Sequence, residues 1–109
     1  MPKERRHSRR APFVASVKQR VGAETQLALA QDLGELGMQL RRLPGRSYLP
    51  KTPVLLTFEL PDGGELICVR GAICFERADG NWQTTGVRFD AISLADRARI
   101  ARFLDTKLR

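Results

Sequence analysis

Apolar and polar positions alternate with a period near two from residue 13 to residue 90, and a longer period takes over afterwards. Residues 13–22 predict a first strand, with Val14, Val17 and Val21 set among Ser16, Lys18 and Arg20. Residues 26–33 continue the alternation, with Leu27 and Leu29 offset from Ala28 and Ala30. The same letters fit a short helix, but the turn signal at Gly22-Ala23-Glu24 and the glycines at 34 and 37 favour a hairpin strand. Residues 38–41 extend again, and the prolines and glycine within residues 44–53 mark the longest loop. Residues 54–60 place Leu56, Phe58 and Leu60 on one face. After the turn Pro61-Asp62-Gly63-Gly64 comes a long strand, residues 66–77, with Ile67, Val69, Ile73 and Phe75 facing inward and Gly71 suggesting a bulge. Asp79-Gly80-Asn81 turns the chain into residues 82–90, with Val87 and Phe89 inward. Ser93 then offers an N-cap with Asp96 three residues on, and Ile100, Phe103, Leu104 and Leu108 recur at helical spacing. About six strands followed by one helix over residues 93–108 predict an all-β fold, an antiparallel barrel or sandwich closed to avoid free edges, with the C-terminal helix packed on it.

Length and charge sharpen this picture. At 109 residues the chain suits one domain. Of its net charge of +7, residues 1–20 supply +6, so the body is nearly neutral and the basic character belongs to an arm. We divide the chain into a flexible basic arm, residues 1–12, and a barrel domain, residues 13–109. Such an arm predicts an anionic partner. No apolar run approaches the length of a membrane span and the start lacks the apolar core of a secretory signal, so the expected location is cytoplasmic, without membrane insertion. Cys68 and Cys74 fall in one predicted strand, about 20 Å apart, too far for a disulfide.

Catalytic chemistry is poorly supplied. His7, in the arm, is the only histidine, and there is no carboxylate cluster or Cys-x-x-Cys pair, so we expect neither an enzyme nor a metal site. Two segments carry binding chemistry. Arg5, Arg6, Arg9 and Arg10 put four guanidiniums within six residues, and a guanidinium binds phosphate in a fork, pairs with guanine O6 and N7, and stacks on a base. A solvated basic tail is the plain alternative. Asp32-Leu33-Gly34-Glu35-Leu36-Gly37 reads as a hairpin loop, or as a ligand rim where a carboxylate accepts from a guanine edge and glycines allow close approach.

An R-x-x-x-R arm before the first strand, with D/N-x-S-x-x-G about twenty residues on, resembles the PilZ domain family. The chain follows that resemblance through residues 49–54, 59–65 and Gly86-Val87-Arg88-Phe89. It implies a six-stranded antiparallel β-barrel of Greek-key type with a C-terminal helix, which binds cyclic di-GMP, a dinucleotide of two guanines and two phosphates. Arg5/Arg9 and Arg6/Arg10 both satisfy the arm motif; because Ala11-Pro12-Phe13 follows Arg10, we take Arg6 and Arg10 as the motif and Arg9 as a surplus charge. A basic residue ahead of the motif, here Arg5, implies two ligand molecules per chain. Asp32 would read a guanine edge, with Gly34 and Gly37 admitting it. Gly34 departs from the motif's serine, and loss of one hydroxyl contact implies binding weaker by about 0.5–1.5 kcal/mol; on this reading, serine at 34 restores the contact.

The expected function is thus a cyclic di-GMP receptor, monomer or weak dimer, that signals to a separate, unidentified protein. Two alternatives stand beside it. One is a PilZ-type adaptor acting by protein–protein interaction without nucleotide. The other is a nucleic-acid-binding barrel, disfavoured because aromatics are only 6% of residues and several phenylalanines fall at core positions.

Overall fold

A computed structural model of the protein describes residues 9–109. Its strands are β1 (Arg10–Pro12), β2 (Ser16–Val21), β3 (Glu24–Gly34), β4 (Gly37–Arg42), β5 (Pro53–Phe58), β6 (Ile67–Asp79) and β7 (Trp82–Ala91), followed by helix α1 (Leu94–Lys107). All pairings are antiparallel, in the order β1-β3-β2-β5-β6-β7-β4, and a further β3–β4 pairing closes β2 to β7 into a six-stranded barrel. The expected six strands and terminal helix are all present. The addition is β1, which pairs with the end of β3 (Arg10 opposite Gly34, Pro12 opposite Asp32) and so brings the last residues of the expected arm onto the barrel. The boundary drawn at residue 12 therefore moves: residues 10–12 are strand, and the first expected strand, residues 13–22, is β2 over Ser16–Val21, reached from β1 through residues 13–15. Pro12 is tolerated because β1 ends the strand order and its outer side has no ladder partner to bond.

Bulges decide which side chains reach the core, and strand alternation alone does not reveal them. Register shifts between Ala30 and Asp32, so Ala28, Ala30 and Leu33 are all buried while Leu27 and Leu29 face outward. A shift between Ile73 and Phe75 sets Ile73 opposite Val87 but Phe75 opposite Gly86. Phe75 consequently leaves the core face it was expected to share and lies half-buried against Gly86, with the Arg77 guanidinium 5.1 Å above its ring. The second shift on this pair, between Arg70 and Gly71, falls at the glycine expected to mark a bulge. Cys68 and Cys74 are both free and exposed.

The loop between β4 and β5 must cross one end of the barrel, because β4 lies between β3 and β7 while β5 lies between β2 and β6. A buried carboxylate anchors it. Glu76 accepts from Arg42 Nη2 (3.0 Å), the Tyr48 backbone N–H (2.7 Å), Gln83 Nε2 (3.0 Å) and the Thr85 hydroxyl (2.7 Å). Burying this ion pair is tolerable because both carboxylate oxygens are satisfied several times over. At the opposite connection Arg99 grips Asp62 with two hydrogen bonds (3.0 and 2.9 Å) and reaches Asp96 (3.2 Å), tying the β5–β6 turn to α1. As expected, Ser93 caps α1, accepting from the Asp96 N–H.

Two stability predictions follow from these contacts. Gln19 points into the barrel, 1% exposed, and neither amide atom finds a partner among the described residues. Gln19→Met keeps the volume and removes two buried polar groups, so it is expected to stabilise the fold by about 1 kcal/mol, or roughly 4–8 °C in Tm; a lower Tm refutes this. The Asp62 carboxyl is held well below the usual carboxylate range, first by the Arg99 hydrogen bonds and next by the Gly64 N–H. Because the folded value is depressed, its stabilisation is complete above about pH 4, the unfolded value, and is lost as pH falls through the folded one. Asp62→Asn is expected to lower Tm at neutral pH, with the gap from wild type closing in acid; a gap independent of pH refutes the assignment.

Candidate functional site

The end of β3, the start of β4 and the incoming β1 meet at one corner of the barrel surface. Backbone pairing puts Arg10 and Asp32 on the same outward face, and Arg10 Nη1 donates to Asp32 Oδ1 at 2.8 Å. The same oxygen accepts the Gln39 backbone N–H at 2.9 Å, which fixes the carboxylate on β4 across the bulge. Asp32 Oδ2 and the remaining guanidinium edge of Arg10 have no protein partner among the described residues. The Arg10 side chain is 42% exposed and that of Asp32 24%, so the pair stands open to solvent.

Arg9 is engaged differently. Its Nε and Nη2 both donate to Glu35 Oε2 (3.1 and 2.8 Å), and its Nη1 donates to Asp105 on α1. This guanidinium therefore links the arm, the β3–β4 turn and the helix, and is not a surplus charge. Glu35 lies inside the motif segment already singled out, between its two glycines. Asp105 lies 96 residues from Arg9, and no local pattern could have pointed to it. Arg5 and Arg6, the other two arginines of the expected site, lie outside the described residues.

Protein backbone occupies the space that glycine leaves at both motif positions. A Cβ on residue 34 would stand 2.6 Å from the Arg9 carbonyl oxygen and 3.0 Å from Arg10 Cγ. One on residue 37 would stand 2.2 Å from the Val87 carbonyl oxygen. Neither glycine has a positive φ, so the requirement is close approach of strands and not turn geometry. The expectation that serine at 34 simply adds a hydrogen bond is thereby corrected: β1 lies where its side chain would begin. Next to Gly37 in register stands Arg88, whose Nε donates to Asp90 Oδ1 at 3.0 Å.

Chemically, the corner offers a fork of N–H donors beside a carboxylate acceptor, an arrangement that suits a ligand carrying both an anion and a ring N–H edge. Among the described residues no group of three His, Cys, Asp or Glu side chains could hold a metal, and no helix is long and apolar enough to cross a membrane.

The family model for the PilZ domain matches residues 4–106. Among solved structures, the fold is similar to the Bacillus subtilis inhibitor of motility MotI/DgrA (TM-score 0.85, 14% identity, 93% of this chain and 50% of that one). It is also similar to the PilZ domain of Escherichia coli YcgR, solved with c-di-GMP (0.73, 14%, 96% and 92%), and to the PilZ domain of CeSA from a cellulose-synthesizing bacterium (0.68, 18%, 92% and 98%). The chain thus spans about half the length of the Bacillus protein. No curated protein matches it in sequence.

The close approach at residue 34 generates a prediction. Gly34→Ser is expected to push β1 off β3, costing about 1–3 kcal/mol, the usual range for overpacking. The measurable signs are loss of hydrogen-exchange protection at the Arg10–Pro12 pairing with the barrel amides still protected. Protection retained at β1 would show that the strands accommodate the side chain.

Proposed function

The chain belongs to the PilZ domain family, and on that premise we propose that it is a receptor for cyclic di-GMP. The observation that carries this reading is the Arg10–Asp32 pair, a half-exposed guanidinium at 2.8 Å from a carboxylate whose second oxygen has no protein partner among the described residues. The free edge of Arg10 binds a phosphate or the O6/N7 edge of a guanine. Asp32 Oδ2 accepts from the ring and amino N–H groups of guanine. Both contacts form without breaking the Arg10–Asp32 bond, so the site is preorganised. Arg9 acts as a positioning residue, holding the arm between Glu35 and Asp105. Gly34 and Gly37 serve the site by letting β1 and β7 approach. Arg6 completes the arm motif and Arg5 supports a second ligand molecule; their roles rest on the sequence resemblance.

The protein acts as a receptor and not as an enzyme, in the cytoplasm, passing its signal to a separate protein. A nucleotide-independent adaptor is the second reading. It is favoured by glycine at the serine position and by the engagement of Arg9 by the protein's own carboxylates.

Calorimetry with cyclic di-GMP tests both readings. Binding with two molecules per chain is the expected result, and absence of heat at about 100 μM ligand favours the adaptor. Arg10→Lys keeps the charge but loses the planar fork. It is expected to weaken binding by about 1–3 kcal/mol, or roughly 5- to 150-fold, with Tm nearly unchanged. Equal affinity in Arg10→Lys would reduce the arm to a diffuse charge and refute the specific contact.

A further inference from the structure

Below the nucleotide corner, residues 12–15 form one wall of an apolar groove of about 920 Å³. Its interior is lined by Phe13, Phe58, Leu60 and Phe103. Phe13 holds two sides together, packing edge-on against Phe58 (centroids 5.9 Å apart) and Phe103 of α1 (5.4 Å). The rim is also apolar: Val14, Leu27 and Leu66 are 84%, 74% and 57% exposed. Three large aliphatic side chains standing in water around one groove form the kind of patch that marks a contact surface.

Charge around the groove specifies the occupant. Lys18 and Lys107 line it, and neither is ion-paired among the described residues; Glu59 is the one acid lining it. Along β2 the basic rim continues. Arg20, Leu55 and Arg70 lie in a single cross-strand row, and neither arginine has a salt-bridge partner among the described residues. The closed barrel of β2 to β7 leaves no free edge, and the unpaired outer edge of β1 beside the groove is three residues long and ends in Pro12, so a partner binds through side chains and not by strand addition. A second copy fits poorly, because α1 carries Arg97, Arg99, Arg102 and Lys107 against only Asp96 and Asp105. The chain's own first eight residues fit no better, with Lys3, Arg5 and Arg6 against Glu4.

We propose that this groove and its basic rim form the docking site for an acidic amphipathic helix of a partner protein, its apolar stripe in the groove and its carboxylates on Lys18, Lys107 and Arg20. The surface stands apart from Arg10 and Asp32, and the proposal holds whether or not cyclic di-GMP binds.

The test uses the full chain, isotopically labelled, titrated with a helical peptide of about sixteen residues carrying leucines at i, i+3, i+4 and i+7 and glutamates on both flanks. The same peptide with lysines for glutamates and vesicles of phosphatidylglycerol are the comparison probes. The expected result is saturable amide shifts centred on Val14, Lys18, Leu27, Leu66 and Phe103, at least tenfold weaker with the lysine peptide. Leu27→Asp and Lys18→Glu, both at exposed positions, are expected to weaken the acidic peptide at least tenfold with Tm unchanged. No saturable shifts, shifts centred elsewhere, equal affinity for the two peptides, or unaltered binding by Leu27→Asp would each overturn the proposal. Vesicle binding abolished by Leu27→Asp would overturn it in favour of a lipid-facing surface.

Discussion

The Arg9 carbonyl oxygen lies 2.6 Å from where a Cβ on residue 34 would stand, and the geometry of the Arg10–Asp32 corner depends on that approach. Only with glycine there can β1 pair with the end of β3, and only then does Arg10 come to rest beside Asp32. β3 is long enough to serve three neighbours: its first half pairs with β2, its end with β1, and its other edge with β4. The same strand therefore closes the barrel and carries the site, and the bulge between Ala30 and Asp32 sets both tasks in phase. The Arg10–Asp32 pair is thus already assembled on the barrel, and for the function proposed above that would reduce the ordering cost of binding.

The arm is also connected mechanically to the rest of the molecule. Arg9 joins Glu35 and Asp105, and four residues later Phe13 packs on Phe58 and Phe103. One segment of five residues thus touches the β3–β4 turn, the end of the barrel and the helix. Phe13 belongs at once to the continuation of the arm and to the lining of the apolar groove.

Buried polar groups distribute stability unevenly around this frame. Glu76 gathers Arg42, Tyr48, Gln83 and Thr85 under the crossing loop, and each of its bonds is made. Gln19, two strands away from Glu76's strand, has none. The contrast follows from neighbours: the end of β6 faces a loop rich in donors, whereas Gln19 stands opposite Leu56 of β5 and Gln26 of β3 in register, and its amide makes no hydrogen bond among the described residues.

The strand order along the chain, the helix and its Ser93 cap, and the family to which the chain belongs were all legible in the sequence. They rest on patterns read along the chain: period-two alternation and turn glycines within a few residues of one another, and the arm arginines 22 residues ahead of Asp32 in the case of Arg10. Tertiary structure alone decided the rest. Ala28 and Ala30 are core while the larger Leu27 and Leu29 are outside, because pairing register and not residue size selects the inward face. Phe75 faces out because one extra residue in β6 reverses the alternation, and nothing in the letters around it announces the slip. Arg9 finds Asp105 across 96 residues, and Gly34 is required by the carbonyl of Arg9, the residue just before β1. Local sequence specifies which segments extend and where they turn; which atoms then meet across strands depends on register and closure, which belong to the whole chain at once.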